Sequence, residues 1–254
     1  MMIGVVAGVG PYAGLDLLGK ILSQTSAGKD QDHLAVASLS QPELIADRTA
    51  FLLGETTINP ARAIVEQLLK LEQMGATAAG IPCNTAHAPQ IFDQIEQGLE
   101  SAGSALNLLH MIAEVGRELQ IALPNVNKVG VLSTTGTAVT RVYPLILEPL
   151  GFDMLAVDES VQAEVIHPAI YDPDYGIKAC GGATEKARDN LLLGVRQLQN
   201  GGAQAIILGC TEIPLAIQET RLNGTAVIDP ALILARALIS AIDPAALSPR
   251  VLHS

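Results

Sequence analysis

Tryptophan is absent from the 254 residues, and aromatic side chains make up only 3 % of them. The stacking platforms on which single-stranded nucleic acids rest are therefore missing. Basic residues are scarce as well: 15 Lys and Arg stand against 26 Asp and Glu, giving a formal net charge of −11 with no basic cluster. Such a surface is unsuited to neutralising phosphates, and no nucleic-acid partner is expected. A small anionic substrate remains compatible, because one or two placed cations and backbone N–H groups can hold a carboxylate. Three cysteines, an odd number, make no disulfide framework in a chain of this size. A reducing cytoplasm is the expected setting. No apolar run approaches the roughly 18 residues of a membrane helix, and Met1 to Pro11 lacks the pattern of a secretory signal, so no membrane partner is expected. There is no Walker sequence, no Gly-x-Ser-x-Gly elbow and no His, Cys or Asp cluster with metal-ligand spacing. The Gly8-Val9-Gly10-Pro11 turn is a lone Gly-x-Gly, because Ala13 stands where the dinucleotide fingerprint needs glycine. The chemistry is expected to rest on side chains, with no cofactor and no metal.

What is present is a 49 % hydrophobic chain in which short apolar runs alternate with amphipathic stretches. That is the pattern of strands and helices around a parallel sheet, an α/β fold. Strands are predicted at Ile3 to Ala7, Leu34 to Leu39 and Ala76 to Pro82, with helices over Tyr12 to Thr25 and Asn59 to Met74. A second cycle starts after Pro124. It has strands at Lys128 to Ser133, near Asp153 to Val157 and at Ala203 to Leu208, and a turn at Thr134 to Thr137. Its helices are predicted through Arg141 to Leu150 and over Thr184 to Gln199, and a closing helix over Ala231 to Ile242 packs back on the first domain.

Two segments in these cycles look like copies of one device. Ala79-Gly80-Ile81-Pro82-Cys83-Asn84-Thr85-Ala86-His87 and Ile206-Ile207-Leu208-Gly209-Cys210-Thr211-Glu212-Ile213-Pro214 each place a cysteine where a strand gives way to a helix start. Cys83 follows Gly4 by 79 residues and Cys210 follows Gly130 by 80, so each device lies at nearly the same distance from a glycine-led strand. The chain reads as a duplicated domain, with residues 1–109 and 225–254 forming the half that carries Cys83 and residues 110–224 the half that carries Cys210. Two opposed thiols in a cleft between such halves suit removal of a proton from one face of a carbon and its return on the other. The alternative for each cysteine alone is a buried structural residue.

The carboxyl end of a strand is where open α/β sheets place ligands, and a helix start favours the basic thiolate form. Asn84 and Thr85, and Thr211 with Glu212, follow the cysteines directly and are placed to hold an α-carboxylate, or simply to cap helices. His87 is a group that could orient Cys83. Arg48 and Lys178 are the cations suited to a side-chain carboxylate, although spacing alone favours an ordinary surface charge for each. Cys180, in Lys178-Ala179-Cys180-Gly181-Gly182, has no counterpart in the first half and reads as a bystander.

The same residues resemble the aspartate/glutamate racemase superfamily, most closely its aspartate racemase branch. The likeness runs along essentially the whole chain through Gly8-Val9-Gly10-Pro11, Asp47-Arg48-Thr49, Pro82 to His87, Leu109-His110-Met111, Val129 to Thr137, Ile177-Lys178 and Gly209-Cys210-Thr211-Glu212. It implies two pseudo-symmetric flavodoxin-like domains, doubly wound with mainly parallel sheets, with the active site in the cleft between them. It also implies a cytoplasmic homodimer and interconversion of L- and D-aspartate without pyridoxal phosphate, metal or nucleotide. By the resemblance, Cys83 and Cys210 are the two bases, Arg48 and Lys178 bind the distal carboxylate, and Asn84, Thr85, Thr137 and Thr211 lie near the α-carboxylate. The first turn has Ala7-Gly8 where two glycines are usual, and Val9-Gly10 where the glutamate branch has an Asp-Ser pair. Rivals are glutamate or hydantoin racemisation, maleate isomerisation, malonate decarboxylation, and a binding protein that holds an acidic amino acid, aspartate or glutamate, without chemistry.

Overall fold

The computed structural model describes residues 1–249 and divides into two units, Met1–Glu114 with the chain from Ala231 onward, and Val115–Pro230. The sheet of the first unit comprises β1 (Ile3–Val6), β2 (Val36–Leu39), β3 (Ala78–Gly80) and β4 (Asn107–Leu109), parallel throughout, in the order β2-β1-β3-β4. The second unit holds β5 (Lys128–Ser133), β6 (Asp153–Ala156), β7 (Ala205–Gly209), β8 (Arg221–Leu222) and β9 (Thr225–Ile228) in the order β6-β5-β7-β9-β8. All its pairings are parallel except the terminal β8–β9 hairpin. In both units the first strand lies between the second and the third, so the winding reverses between first and third. That is the switch point of a doubly wound sheet.

The duplication seen in the sequence is a duplication of register. Gly4 pairs with Ala79 and Gly130 pairs with Ile206, and each partner lies four residues before its unit's cysteine. The two glycines do the same work. A Cβ on Gly4 would meet the side chain of Leu71 at 3.3 Å, and one on Gly130 would meet Leu198 at 3.1 Å. Leu71 and Leu198 lie on Ala61–Gln73 and Glu185–Asn200, the helices that lead into the third strand of their units, so each helix sits close on its first strand.

Alternation along β1 covers both faces of the first sheet. Ile3 and Val5 pack with Leu17, Ile21, Leu234 and Leu238, while Val6 packs with Ile64, Leu68, Leu71 and Ile91. The helix Pro230–Ile242 supplies Leu234 and Leu238, so the end of the chain completes the core around β1. The core of the second unit gathers Leu132, Ile206 and Leu208 with Leu191, Val195 and Leu198 of helix Glu185–Asn200 and with Ile166 and Ile170. Burying each such side chain contributes about 1.5–3 kcal/mol.

The expected helix over Arg141 to Leu150 is broken up. Arg141 sits in the left-handed region at φ 51°, the helix runs only over Val142–Leu147, and a single 3-10 turn, Glu148–Leu150, follows. The predicted turn Thr134 to Thr137 is instead the start of a short helix, Thr135–Val139, capped by the Thr134 side chain. Thr184 caps Glu185–Asn200 in the same way, through the Ala187 N–H.

Two glycines of helix Pro11–Gln24 give opposite expectations. A Cβ on Gly14 would lie 2.4 Å from Ala7 Cβ and 2.8 Å from Ala7 Cα, whereas one on exposed Gly19 meets nothing within 4 Å. Gly14→Ala should lower the unfolding free energy by about 1–3 kcal/mol through overpacking, and Gly19→Ala should raise it by about 0.5–1 kcal/mol through helix propensity. Denaturant melts of the two variants check both signs.

Candidate active site

Beyond β3 the chain turns tightly at Pro82, where the Cys83 N–H donates to the Ile81 carbonyl at 2.8 Å, and Cys83 then caps a single 3-10 turn, Asn84–His87. Cys83, Asn84, Thr85 and His87 are all buried. The turn is closed by the Ala86 N–H donating to the Cys83 carbonyl at 3.2 Å, and His87 Nδ1 lies 2.8 Å from the same oxygen. As the Nδ1–H tautomer, His87 donates to that carbonyl and fixes the backbone that presents the thiol. The ring stacks on Phe92 with centroids 5.1 Å apart and meets His110 edge-on at 4.7 Å. Burial and the neighbouring imidazole push His87 down to about 3, against the pull of the Cys83 and Leu109 backbone. Burial likewise pushes His110 down to about 4. Both rings are neutral at physiological pH.

Arg48 opens the short helix Arg48–Leu52, capped by Asp47 Oδ1 accepting from the Ala50 N–H, and this helix packs against the Cys83 turn. The Arg48 guanidinium donates to the Val9 carbonyl at 2.6 Å. A cation is thereby fixed at the Gly8–Gly10 loop that follows β1, beside the strand end that delivers Cys83. There Gly8 lies so close to Gln41 that a Cβ would meet its backbone N at 2.6 Å.

In the second unit Cys210 directly follows β7 and is buried, and its carbonyl accepts from the Ile213 N–H at 3.0 Å. Its Sγ donates to Glu212 Oε2 at 3.1 Å. Thr211 Oγ1 lies 3.4 Å from the same oxygen, and Glu212 Oε1 is ion-paired with Lys178. The Lys178 ammonium also stands 5.7 Å from the centroid of Tyr171. Burial alone would lower the Lys178 pKa, but Glu212 and Cys210 reverse this and hold it above its ordinary value. Thr137 is buried beside Thr134, with hydroxyl oxygens 3.1 Å apart. It lines a cavity of about 130 Å³ with Ser133, Tyr143 and Gln162, at the end of β5.

One sequence expectation is corrected here. A helix start was expected to favour the Cys210 thiolate, yet its pKa is raised well above that of a free thiol. Burial is the main cause and the Glu212 carboxylate adds to it, while Lys178 offsets only part. The turn after Cys210 is the short 3-10 segment Ile213–Leu215, too brief to carry the dipole of a long helix. Cys180 is exposed, with its Sγ 3.6 Å from the Asp174 carbonyl.

Of the residues singled out from sequence, the first unit brings together Cys83, Asn84, Thr85 and Arg48 around the strand ends of β1 and β3. The second joins Cys210, Thr211 and Lys178 into one hydrogen-bonded group, with Thr137 after β5. Lys178 is held by a buried carboxylate, which sets aside its reading as an ordinary surface charge. Glu212 was singled out with Thr211 for an α-carboxylate, and its place as the hub between Cys210 and Lys178 was not foreseen; His110 against His87, and buried Tyr143, whose own pKa is raised by burial, Asp229 and Cys210, were not named as site residues. Among the described residues no group of three or more His, Cys, Asp or Glu side chains could hold a metal ion, and no helix is long and apolar enough to cross a membrane.

Two doubly wound units, each with a buried cysteine at the switch point, define a duplicated α/β protein with one buried thiol per half. The model of the Asp/Glu/hydantoin racemase family matches residues 6–238, and the chain belongs to that family as a racemase. It is similar to the aspartate racemase of Picrophilus torridus, with a TM-score of 0.78 and 28 % identity over 94 % of this chain and 93 % of that one. The broad specificity amino-acid racemase RacX of Bacillus subtilis (strain 168) is 27 % identical over 168 residues, 64 % of this chain and 67 % of the relative. The glutamate racemase of Francisella tularensis subsp. tularensis SCHU S4 shares the fold, with a TM-score of 0.67 at 18 % identity over 98 % of this chain and 83 % of that one.

The neutral histidines set a pH expectation. Unfolded imidazoles titrate near 6.5, so the unfolded chain binds these protons first as pH falls. The stability from keeping His87 and His110 neutral is fully present above about pH 6.5 and is lost progressively toward their folded values of about 3 and 4. Histidine-labelled NMR titration should find both rings still neutral at pH 5; a midpoint near 6.5 for either contradicts the burial argument.

Proposed function

We propose that the protein interconverts L- and D-aspartate by a two-base mechanism, without pyridoxal phosphate or any other cofactor. The observation that carries this reading is the equivalence of the two half-sites. Each unit holds a buried cysteine four residues beyond the third-strand residue that pairs with its glycine, and each has a cation fixed nearby, Arg48 in one and Lys178 in the other.

In this reading Cys210 as thiolate removes the α-proton of the L-isomer, and Cys83 as thiol delivers a proton to the opposite face. In the reverse direction the roles exchange. A productive protein carries one thiolate and one thiol, so the pH profile is bell-shaped with values that belong to the pair. Asn84, Thr85, Thr137 and Thr211 bind near the α-carboxylate and stabilise the negative charge that spreads into it as the proton leaves. Arg48 and Lys178 take the distal carboxylate, which favours a dicarboxylic substrate. The missing Asp-Ser pair in the first turn favours aspartate over glutamate. The likeness to a broad-specificity racemase supports a second reading, in which the same two thiols serve a wider range of amino acids. Three cysteines without a disulfide are compatible with a reducing cytoplasm, and a homodimer is the assembly we expect.

Cys83→Ser and Cys210→Ser should each lower racemisation of aspartate by at least about a hundredfold, the scale of lost general acid–base catalysis. Either variant can still exchange the α-hydrogen of one enantiomer with solvent. Chiral chromatography of the product, beside α-proton exchange in deuterated buffer, separates the two activities. Full racemisation in either variant contradicts the two-base assignment.

A further inference from the structure

Cys210 poses a problem that its surroundings also answer. Its thiol is 4 % exposed and its proton is held by burial and by Glu212, so solvent is a poor acceptor for that proton. The acceptor within reach is Glu212, whose Oε2 already receives the Sγ–H at 3.1 Å. Glu212 is kept anionic by its other oxygen, which pairs with the Lys178 ammonium. Among the described residues, Tyr143, which feels the charges of both Cys210 and Asp229, and Tyr171 beside Lys178, itself stacked on His167, also stand around this cluster. Tyr143 is held strongly toward its neutral form, which leaves Glu212 as the acceptor in the cluster.

Resting on the racemase reading, we propose that Glu212 takes the Cys210 thiol proton when a carboxylate of the bound substrate takes over Lys178. In that step the S–H bond of Cys210 breaks with its electron pair left on Sγ, and an O–H bond forms on Glu212 Oε2. Lys178 stays protonated, so the proton transfer itself leaves the net charge of Cys210, Glu212 and Lys178 unchanged. The direction follows from geometry. Lys178 is hydrogen-bonded to Glu212 and acts on Cys210 only through its charge, so an anion that draws the ammonium away raises the proton affinity of that carboxylate more than that of the thiol. Glu212 thus acts through Cys210 as a positioning residue and proton acceptor. Lys178 does two things in sequence: it holds Glu212 ionised in the empty protein, and it exchanges that carboxylate for the substrate's. The thiolate is then formed only when there is substrate to use it.

The test reads the thiol directly. A Cys83→Ser, Cys180→Ser chain labelled with carbon-13 at the cysteine β-carbon reports Cys210 alone. Succinate, a dicarboxylate with no α-amino group, serves as the probe at pH 7.5. The Cys210 β-carbon should move toward its thiolate position in step with succinate saturation, and should not move so in the same chain with Glu212→Gln, which still binds succinate. Succinate binding with Cys210 left as a thiol overturns the proposal, as does an equal thiolate shift with Glu212→Gln. Failure of succinate to bind either chain removes the dicarboxylate reading of the site, and this inference with it. In the otherwise natural chain, Glu212→Gln should lower kcat for L-aspartate by about a hundredfold or more with KM not raised, and Glu212→Asp should restore part of it. Unchanged kcat in Glu212→Gln, in a protein that racemises aspartate, overturns the proposal while leaving the racemase reading intact.

Discussion

The parallel pairing of first and third strands at a fixed register is the constraint on which the candidate site depends. Because Gly4 faces Ala79 and Gly130 faces Ile206, each third strand ends beside the loop that follows the first. In the first unit that places Cys83 at the end of the sheet where the Gly8–Gly10 loop and Arg48 meet. In the second it places Cys210 at the same end as Thr134 and Thr137. A one-residue slip would turn the apolar set of β1 to the wrong faces of its sheet. The glycines keep the register compact by letting Leu71 and Leu198 press onto the first strands.

On that shared frame the two half-sites differ in electrostatics. Around Cys83 the nearest titratable rings, His87 and His110, are kept neutral by burial, and the backbone carbonyl of Cys83 is held by a neutral imidazole. Around Cys210 the neighbours are charged, an ammonium and a carboxylate in contact, with the thiol donating to the carboxylate. Burial and the carboxylate together outweigh Lys178 in setting the state of Cys210. A symmetric fold has therefore been given chemically unlike thiol environments. That difference fits a proton removed by one cysteine and returned by the other.

Much of this was legible in the sequence because local signals and global fold agree. The glycine-led strands and the paired cysteine devices act over short distances and leave local marks. What was not legible depends on contacts between residues distant in sequence. Glu212 follows Cys210 closely, but its role comes from Lys178 on the short helix Ile177–Cys180. His87 is kept neutral chiefly by its burial, to which the imidazole of His110, arriving from beyond β4, adds. The break at Arg141 is a backbone event no apolar spacing records, since Val142, Tyr143 and Leu147 after it keep a helical spacing. The expected lowering of the thiol pKa failed for a related reason: strand end and turn were located correctly, but burial and the charge that packs against Cys210 decide the sign.

The most direct test of the account is proton NMR of the purified protein in deuterated buffer, freed of metal and pyridoxal phosphate and offered L-aspartate, with chiral analysis of the same samples. The account predicts loss of the α-proton signal together with appearance of D-aspartate. Aspartate that keeps its α-proton in the presence of folded protein with reduced thiols would contradict it.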